Sequence, residues 1–288
     1  MRTVVLSMAV LAALGLAGCS GGTGAEQGAG AANGSSVAAK VASSVSGTVG
    51  LRDPDAHKLS DQAKLTIELV DVSKRNAAPL AHKTISPIKS LPAKFKFDVT
   101  PKEVNASDLY VVKAEIVDGI RHYTMPLQAP VLTKGAASTA TIRLVAVPTP
   151  AEKLFAAYKK MQAQAGAMKM NTGTSRNDKV AHGWQVFRDK KTGDIRYVVD
   201  QADFVDGGFN YTEYGYKNEK PWVIVRKHKS SQNAQPSVIY KLGWDGGGKI
   251  VLNKKVADGK TTKVDADKAA KLFDEAKDMF KKAKKSIK

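Results

Sequence analysis

Three runs in the first half of the chain repeat with period two, and that repeat limits the fold more than any other feature. Leu65, Ile67 and Leu69 alternate with Thr66, Glu68 and Val70. Phe95, Phe97 and Val99 alternate with Lys94, Lys96 and Asp98. Tyr110, Val112, Ala114 and Ile116 form one row opposite Val111, Lys113 and Glu115. Successive side chains of a strand point to opposite faces, so each run predicts a half-buried strand. Asp118-Gly119, between the third run and residues 120–123, is a hairpin signal, and residues 46–51 and 139–145 supply a first and a last strand. Prolines 79, 87, 92, 101, 126 and 130 fall where strands should end or lie at an edge. Roughly six to eight short strands with frequent turns predict an antiparallel β-sandwich over residues 45–147.

Pro148-Thr149-Pro150 marks a boundary, and residues 148–288 are expected to fold as a second, α+β domain. Thr149 stands as N-cap with Pro150 at N1 and Glu152 at N3, the pattern of a capping box. Leu154, Phe155, Tyr158, Met161, Ala165 and Met168 then recur at helical spacing, as a core-facing stripe. Residues 171–179 read as a polar loop. Hairpin patterns follow around 190–194, 217–221 and 245–248, giving a meander of about six strands. A last helix begins near Asp265, with Ala269, Leu272, Phe273, Ala276, Phe280, Ala283 and Ile287 on its apolar face. The fold class is therefore mainly β: an antiparallel sandwich, then helix–antiparallel meander–helix.

At the start of the chain, Arg2 precedes an apolar stretch at residues 4–16. At about 13 residues it is too short for a membrane span, which needs roughly 20, and it suits a signal-peptide core. It ends in Leu16-Ala17-Gly18-Cys19, which closely resembles the lipobox of bacterial lipoproteins. That resemblance implies cleavage between Gly18 and Cys19 and diacylglyceryl attachment to the Cys19 thiol, with residues 1–18 as signal peptide. Cys19 is the only cysteine, so the exported part folds without a disulfide. Residues 19–44 are mostly Gly, Ala, Ser and Thr, a composition that buries no core and reads as a tether with an end-to-end distance of roughly 25–30 Å. Ser20 in place of Asp favours the periplasmic face of the outer membrane over retention at the inner membrane.

A second resemblance lies in an ordered set of short motifs. Gly47-Thr48-Val49 is followed by residues 65–73, Pro92 with Phe95 and Phe97, residues 110–116, Asp118-Gly119 and Pro130-Val131-Leu132-Thr133. This series is similar to the YbaY/YscW-type lipoprotein domain. The resemblance implies a lipid-anchored β-sandwich without catalysis, whose best-understood relatives are pilotins that bind a secretin subunit and help it assemble in the outer membrane. Those pilotins end near the sandwich, whereas this chain runs on for roughly 140 residues. Asp71-Val72-Ser73 within the series reads as a turn cap.

Gly243 to Gly248-Lys249 nearly matches a P-loop, but Ile250 stands where a magnesium-binding hydroxyl belongs, and the run leads into a strand. No nucleotide or other cofactor is expected. His57, His82, His122, His182 and His228 show no paired-ligand spacing, so no metal is expected. Asp203 and Asp206 read as solvated turn carboxylates. Tyr211, Tyr214, Tyr216, Trp222 and Trp244 crowd one sheet together with Trp184 and Tyr240. Cross-strand packing is their commoner use, and a binding surface for a peptide or sugar is the other. The formal net charge of +18 suits a solvated basic surface or contact with anionic envelope material. No nucleic-acid motif accompanies it.

The expected function is non-enzymatic: an outer-membrane lipoprotein that binds an envelope protein partner such as a secretin subunit. Two alternatives stay open. One is a structural lipoprotein whose basic part docks anionic lipid, lipopolysaccharide or wall surface. The other is a periplasmic enzyme or enzyme inhibitor. Cys19→Ala should abolish incorporation of labelled palmitate and leave the circular-dichroism spectrum unchanged; label in that variant would overturn the anchor.

Overall fold

The computed structural model describes residues 42–287. Gly18, Cys19 and most of the expected tether lie outside the described residues. The first half contains β1 (Ser44–Leu51), β2 (Lys64–Asp71), β3 (Ala81–Ile85), β4 (Ala93–Asp98), β5 (Tyr110–Asp118), β6 (Arg121–Thr124), β7 (Ala129–Val131) and β8 (Thr139–Ala146). Their pairing order is β3-β2-β5-β6-β8-β1-β4, with β7 on β5. The alternation maps onto this path as predicted: Leu65, Ile67, Leu69, Phe95, Phe97, Tyr110, Val112 and Ile116 all face one core. Gly119 adopts φ +59 in the β5–β6 hairpin. Asp71 accepts the Ser73 N–H at 2.9 Å, so that motif is a turn cap.

One pairing departs from the expected antiparallel sandwich. β1 runs parallel to β8, from Ser46–Thr139 to Leu51–Leu144, and antiparallel to β4. The close approach needs glycine at position 47, where a Cβ would lie 1.9 Å from the Ala140 carbonyl oxygen and 2.9 Å from the Phe95 ring. Period two reports which face a residue occupies, not the direction of the neighbouring strand.

The second half opens with α1 (Pro150–Gln164) and closes with α2 (Ala266–Lys285). Between them run β9 (Lys169–Arg176), β10 (Val180–Arg188), β11 (Ile195–Phe204), β12 (Phe209–Lys217), β13 (Lys220–Lys229), β14 (Val238–Trp244), β15 (Ile250–Ala257) and β16 (Lys260–Thr262). They form one antiparallel sheet in sequence order. Sequence reading recovers the six central strands and misses the two edges. β9 was expected as loop because an edge strand packs little. Its sequence KMNTGTSR has no apolar alternation; Gly173 lies under the Trp184 indole, where a Cβ would lie 2.4 Å from the ring, and Asn171 accepts from the Arg188 guanidinium at 2.9 Å. β16 is a short return after the turn at Asp258 and Gly259, both at positive φ.

Each helix covers one face of this sheet. α2 packs Ala269, Leu272, Ala276, Phe280 and Ala283 against Val186, Val198, Tyr214, Tyr216, Ile224 and Leu242. α1 packs Tyr158 and Met161 against Tyr197, Val199, Trp222, Val223 and Val225. Residues 197, 215, 223, 243 and 252 lie side by side across five strands beneath α1. Two of them are glycines, and a side chain at either would collide. A Cβ on Gly243 would lie 2.5 Å from Leu154 of α1, and one on Gly215 would lie 2.5 Å from Val223 of the next strand and 3.1 Å from Met161 of α1. With both faces covered, neighbouring residues such as Val223, Ile224 and Val225 are all buried.

The capping box of α1 forms as predicted. Glu152 N–H donates to Thr149 Oγ1 at 3.3 Å, and Thr149 N–H donates to Glu152 Oε2 at 2.9 Å. The same Glu152 accepts both Nη1 (3.1 Å) and Nη2 (2.5 Å) of Arg121 at the tip of the β5–β6 hairpin. The guanidinium, with the Thr149 groups, holds the Glu152 carboxyl down at about 2, so it stays ionised. Both sheets belong to one compact unit, and this ion pair ties the first to the helix that opens the second.

Gly47→Ala should weaken the β1–β8 pairing and cost about 1–3 kcal/mol, the range for overpacking a filled core. A urea midpoint unchanged from the parent would refute the close approach.

Candidate functional site

The path of the first sheet leaves one gap. β8 meets β6 only at Tyr123–Ala146 and Thr124–Val145. On that side residues 139–144 have no hydrogen-bonded partner strand, although β7 lies close by and β1 pairs along their other side. Facing them is residues 125–131, of which β7 pairs only with β5. Pro126 and Pro130 lack an N–H, so this segment cannot close the ladder. The result is a groove of about 450 Å³. Its walls are Met125, Leu127, Ala129, Ala140 and Ile142, and its charged residues are Arg52 and Arg143. Leu127 is 78% exposed beside it. An unpaired strand edge beside apolar side chains can accept an extended chain by backbone hydrogen bonding.

The aromatic group singled out in the sequence is divided between the two faces of the second sheet. Tyr214 and Tyr216 are buried beneath α2, and the Tyr216 hydroxyl donates to the Ala276 carbonyl at 2.8 Å. Trp222 is buried on the α1 face, with the Lys217 ammonium 4.2 Å from its ring centre. Trp244 packs against Phe273 in a tilted pair with ring centres 4.7 Å apart, and Tyr211 is half-buried with Lys227 over its ring at 5.0 Å. The five do not converge. Tyr211 and Trp244 retain partial exposure, on strands whose alternation turns them to opposite faces.

Two buried polar clusters escaped the sequence reading. Under α1, Glu213 is fully buried; Oε1 accepts from Gln162 (2.6 Å) and from the Tyr197 hydroxyl, and Lys227 approaches Oε2 at 3.6 Å. Burial and then the Glu213 charge push the Tyr197 hydroxyl well above its ordinary range. Along one side of α2, a pocket of about 470 Å³ gathers His182, Asp200, Tyr214, Arg226, Glu275 and Asp278. Asp200 Oδ1 meets His182 Nδ1 at 3.1 Å, and Glu275 meets Arg226 at 2.6 Å. Arg226 also donates to Thr212 Oγ1 (2.9 Å) and to the Tyr214 hydroxyl (3.1 Å). The two buried charged residues, Asp200 and Arg226, thus each have polar partners, and Arg226 is paired with a carboxylate. The signal for both clusters was an isolated charge at an inward strand position, and alternation alone does not say what it pairs with.

The near P-loop is a hairpin. Asp245 Oδ1 accepts the N–H groups of Gly247 (3.0 Å) and Lys249 (2.9 Å), which turns the chain from β14 into β15. Asp203 and Asp206 are both exposed. Among the described residues no three metal-ligating side chains converge, and no helix is long and apolar enough to cross a membrane.

Residues 40–144 match the family model of the type III secretion system lipoprotein chaperone, YscW. This is the segment that carries the first sheet and the groove, and the matched family is one of secretion chaperones and not of enzymes. The chain is also similar to a solved structure, that of an alternative pilotin from the type II secretion system of Vibrio cholerae. The identity is 25%, covering 36% of this chain and 96% of that one, with a TM-score of 0.32. No curated protein matches.

If the buried aromatics hold the sheet to α2, Tyr216→Ala should cost about 3–5 kcal/mol, like other large aromatic truncations in cores. Tyr211→Ala should cost clearly less in the same urea titration. Equal losses would show that Tyr216 does not carry the packing described.

Proposed function

We propose that this chain is a lipid-anchored secretion chaperone of the cell envelope. It would hold a segment of a secretin-like outer-membrane protein at the open edge of β8. The observation that carries the reading is the coincidence of the chaperone-family match with the unpaired edge at residues 139–144. The segment would add as a strand, with backbone bonds giving affinity and the Met125–Leu127 wall taking alternate apolar side chains. Arg52 and Arg143 favour a segment that carries acidic residues. The anchor at Cys19 and its tether would keep the chaperone at the membrane where the partner assembles. Outer-membrane residence, read from Ser20, belongs to the same proposal.

A charged residue at Leu127 tests the groove without touching the core, since this side chain is 78% exposed. Leu127→Asp should reduce recovery of a secretin subunit in crosslinking from intact envelopes by about tenfold or more, the loss for one anchor contact of about 1.4 kcal/mol. The thermal midpoint should stay at the parent value. Undiminished recovery would remove the groove from the interface.

A further inference from the structure

A separate cleft has a volume of about 820 Å³. It lies between α1, the β14–β15 pair, the β5–β6 hairpin and the loop after β1. Its charged lining is Lys58, Arg121, Lys241 and Lys254 against only Asp118 and Glu152. Both carboxylates are already engaged. Asp118 Oδ2 accepts the Ser60 N–H at 3.0 Å, and Glu152 is taken by Arg121. The lysines are not matched in the same way: among the described residues neither Lys241 nor Lys254 is in an ion pair.

These two lysines are direct cross-strand partners on β14 and β15. Like charges placed opposite one another repel. Lys159 of α1 adds to the repulsion, since its ammonium and that of Lys241 lie 5.8 and 5.0 Å from the centre of the same Phe155 ring. Burial first, and then Lys254, Lys159 and Lys227, lower the pKa of Lys241. The free protein therefore carries an electrostatic cost at this spot that a bound anion would remove. Elsewhere in the cleft wall the Tyr123 hydroxyl is buried and has no hydrogen-bond partner.

The chemistry narrows the anion. A planar carboxylate suits a guanidinium fork, and the one fork here is occupied by Glu152. Compact ammonium groups act as point charges and suit a tetrahedral phosphoryl group. The uncompensated excess in the lining is two charges, close to that of a phosphomonoester. Phe155, Ala156 and Leu252 give the same cleft an apolar floor.

We propose that this cleft is a phosphate-binding site, in which Lys241 and Lys254 take the phosphoryl oxygens and the Phe155–Leu252 floor receives an apolar body attached to them. The site is distinct from the β8 groove and does not depend on what binds there.

The test compares the full chain with Lys241→Met/Lys254→Met, using Lys190→Met/Lys191→Met on an exposed hairpin as a charge-matched control. Each protein is titrated with inorganic phosphate and with a short-chain phosphatidic acid below its micelle concentration. Chloride at matched ionic strength and short-chain phosphatidylcholine are the references. The parent and the control should bind phosphate with a rise in thermal midpoint, and the cleft variant should bind about tenfold more weakly for each lysine lost. Without phosphate, the cleft variant should melt above the parent because the repulsion is gone. Tighter binding of phosphatidic acid than of inorganic phosphate would identify a lipid headgroup as the source, whereas equal binding would overturn the role of the apolar floor and leave recognition of the phosphoryl group alone. If the cleft variant responds like the parent, or the parent responds to phosphate no more than to chloride, the proposal fails.

Discussion

A sheet covered on both faces leaves no solvent side for its polar residues, and the second half of this protein is organised around that constraint. α1 and α2 enclose the central strands of the β9–β16 meander, so every residue of those strands must pack or find a polar partner. Glycines at 215 and 243 let α1 lie close, and Ala276 and Ala283 do the same for α2. Polar side chains inside the layers are gathered into clusters in place of being scattered. Glu213 takes Gln162, Tyr197 and Lys227, while Arg226 takes Thr212, Tyr214 and Glu275. Removing one member of such a cluster strands the others without water, which costs more than the lost bond itself.

The first sheet solves its edges differently. Its strands wrap around a single core, and the parallel β1–β8 pair brings the beginning and end of the segment together. The wrap is incomplete, because a proline-bearing segment lies where the next strand should pair with β8. An open edge is a liability in a free protein, and here it coincides with the segment matched to a secretion chaperone family. The Arg121–Glu152 pair joins this sheet to α1.

Much of this was legible in the residues. The alternating rows of β2, β4 and β5, the capping box at Thr149 and the apolar face of α2 all follow from local periodicity, and each appears where its pattern places it. β9 was not legible, because this edge strand is mostly exposed and its residues show no apolar repeat. The direction of β1 against β8 was not legible either, since nothing in either strand encodes its neighbour's polarity. For the groove, Pro126 and Pro130 could be read as edge signals, but not which strand they would leave unpaired.

The chain's own pattern determined what is local: mainly β structure, the starts of two helices, and the likeness to a lipoprotein chaperone domain. The tertiary structure alone decided which residues meet. It set Lys241 opposite Lys254, placed Arg121 on Glu152, and sent Tyr214 and Trp222 into different layers. Periodicity fixes the face of each residue along one element, whereas contacts depend on register between elements far apart in sequence.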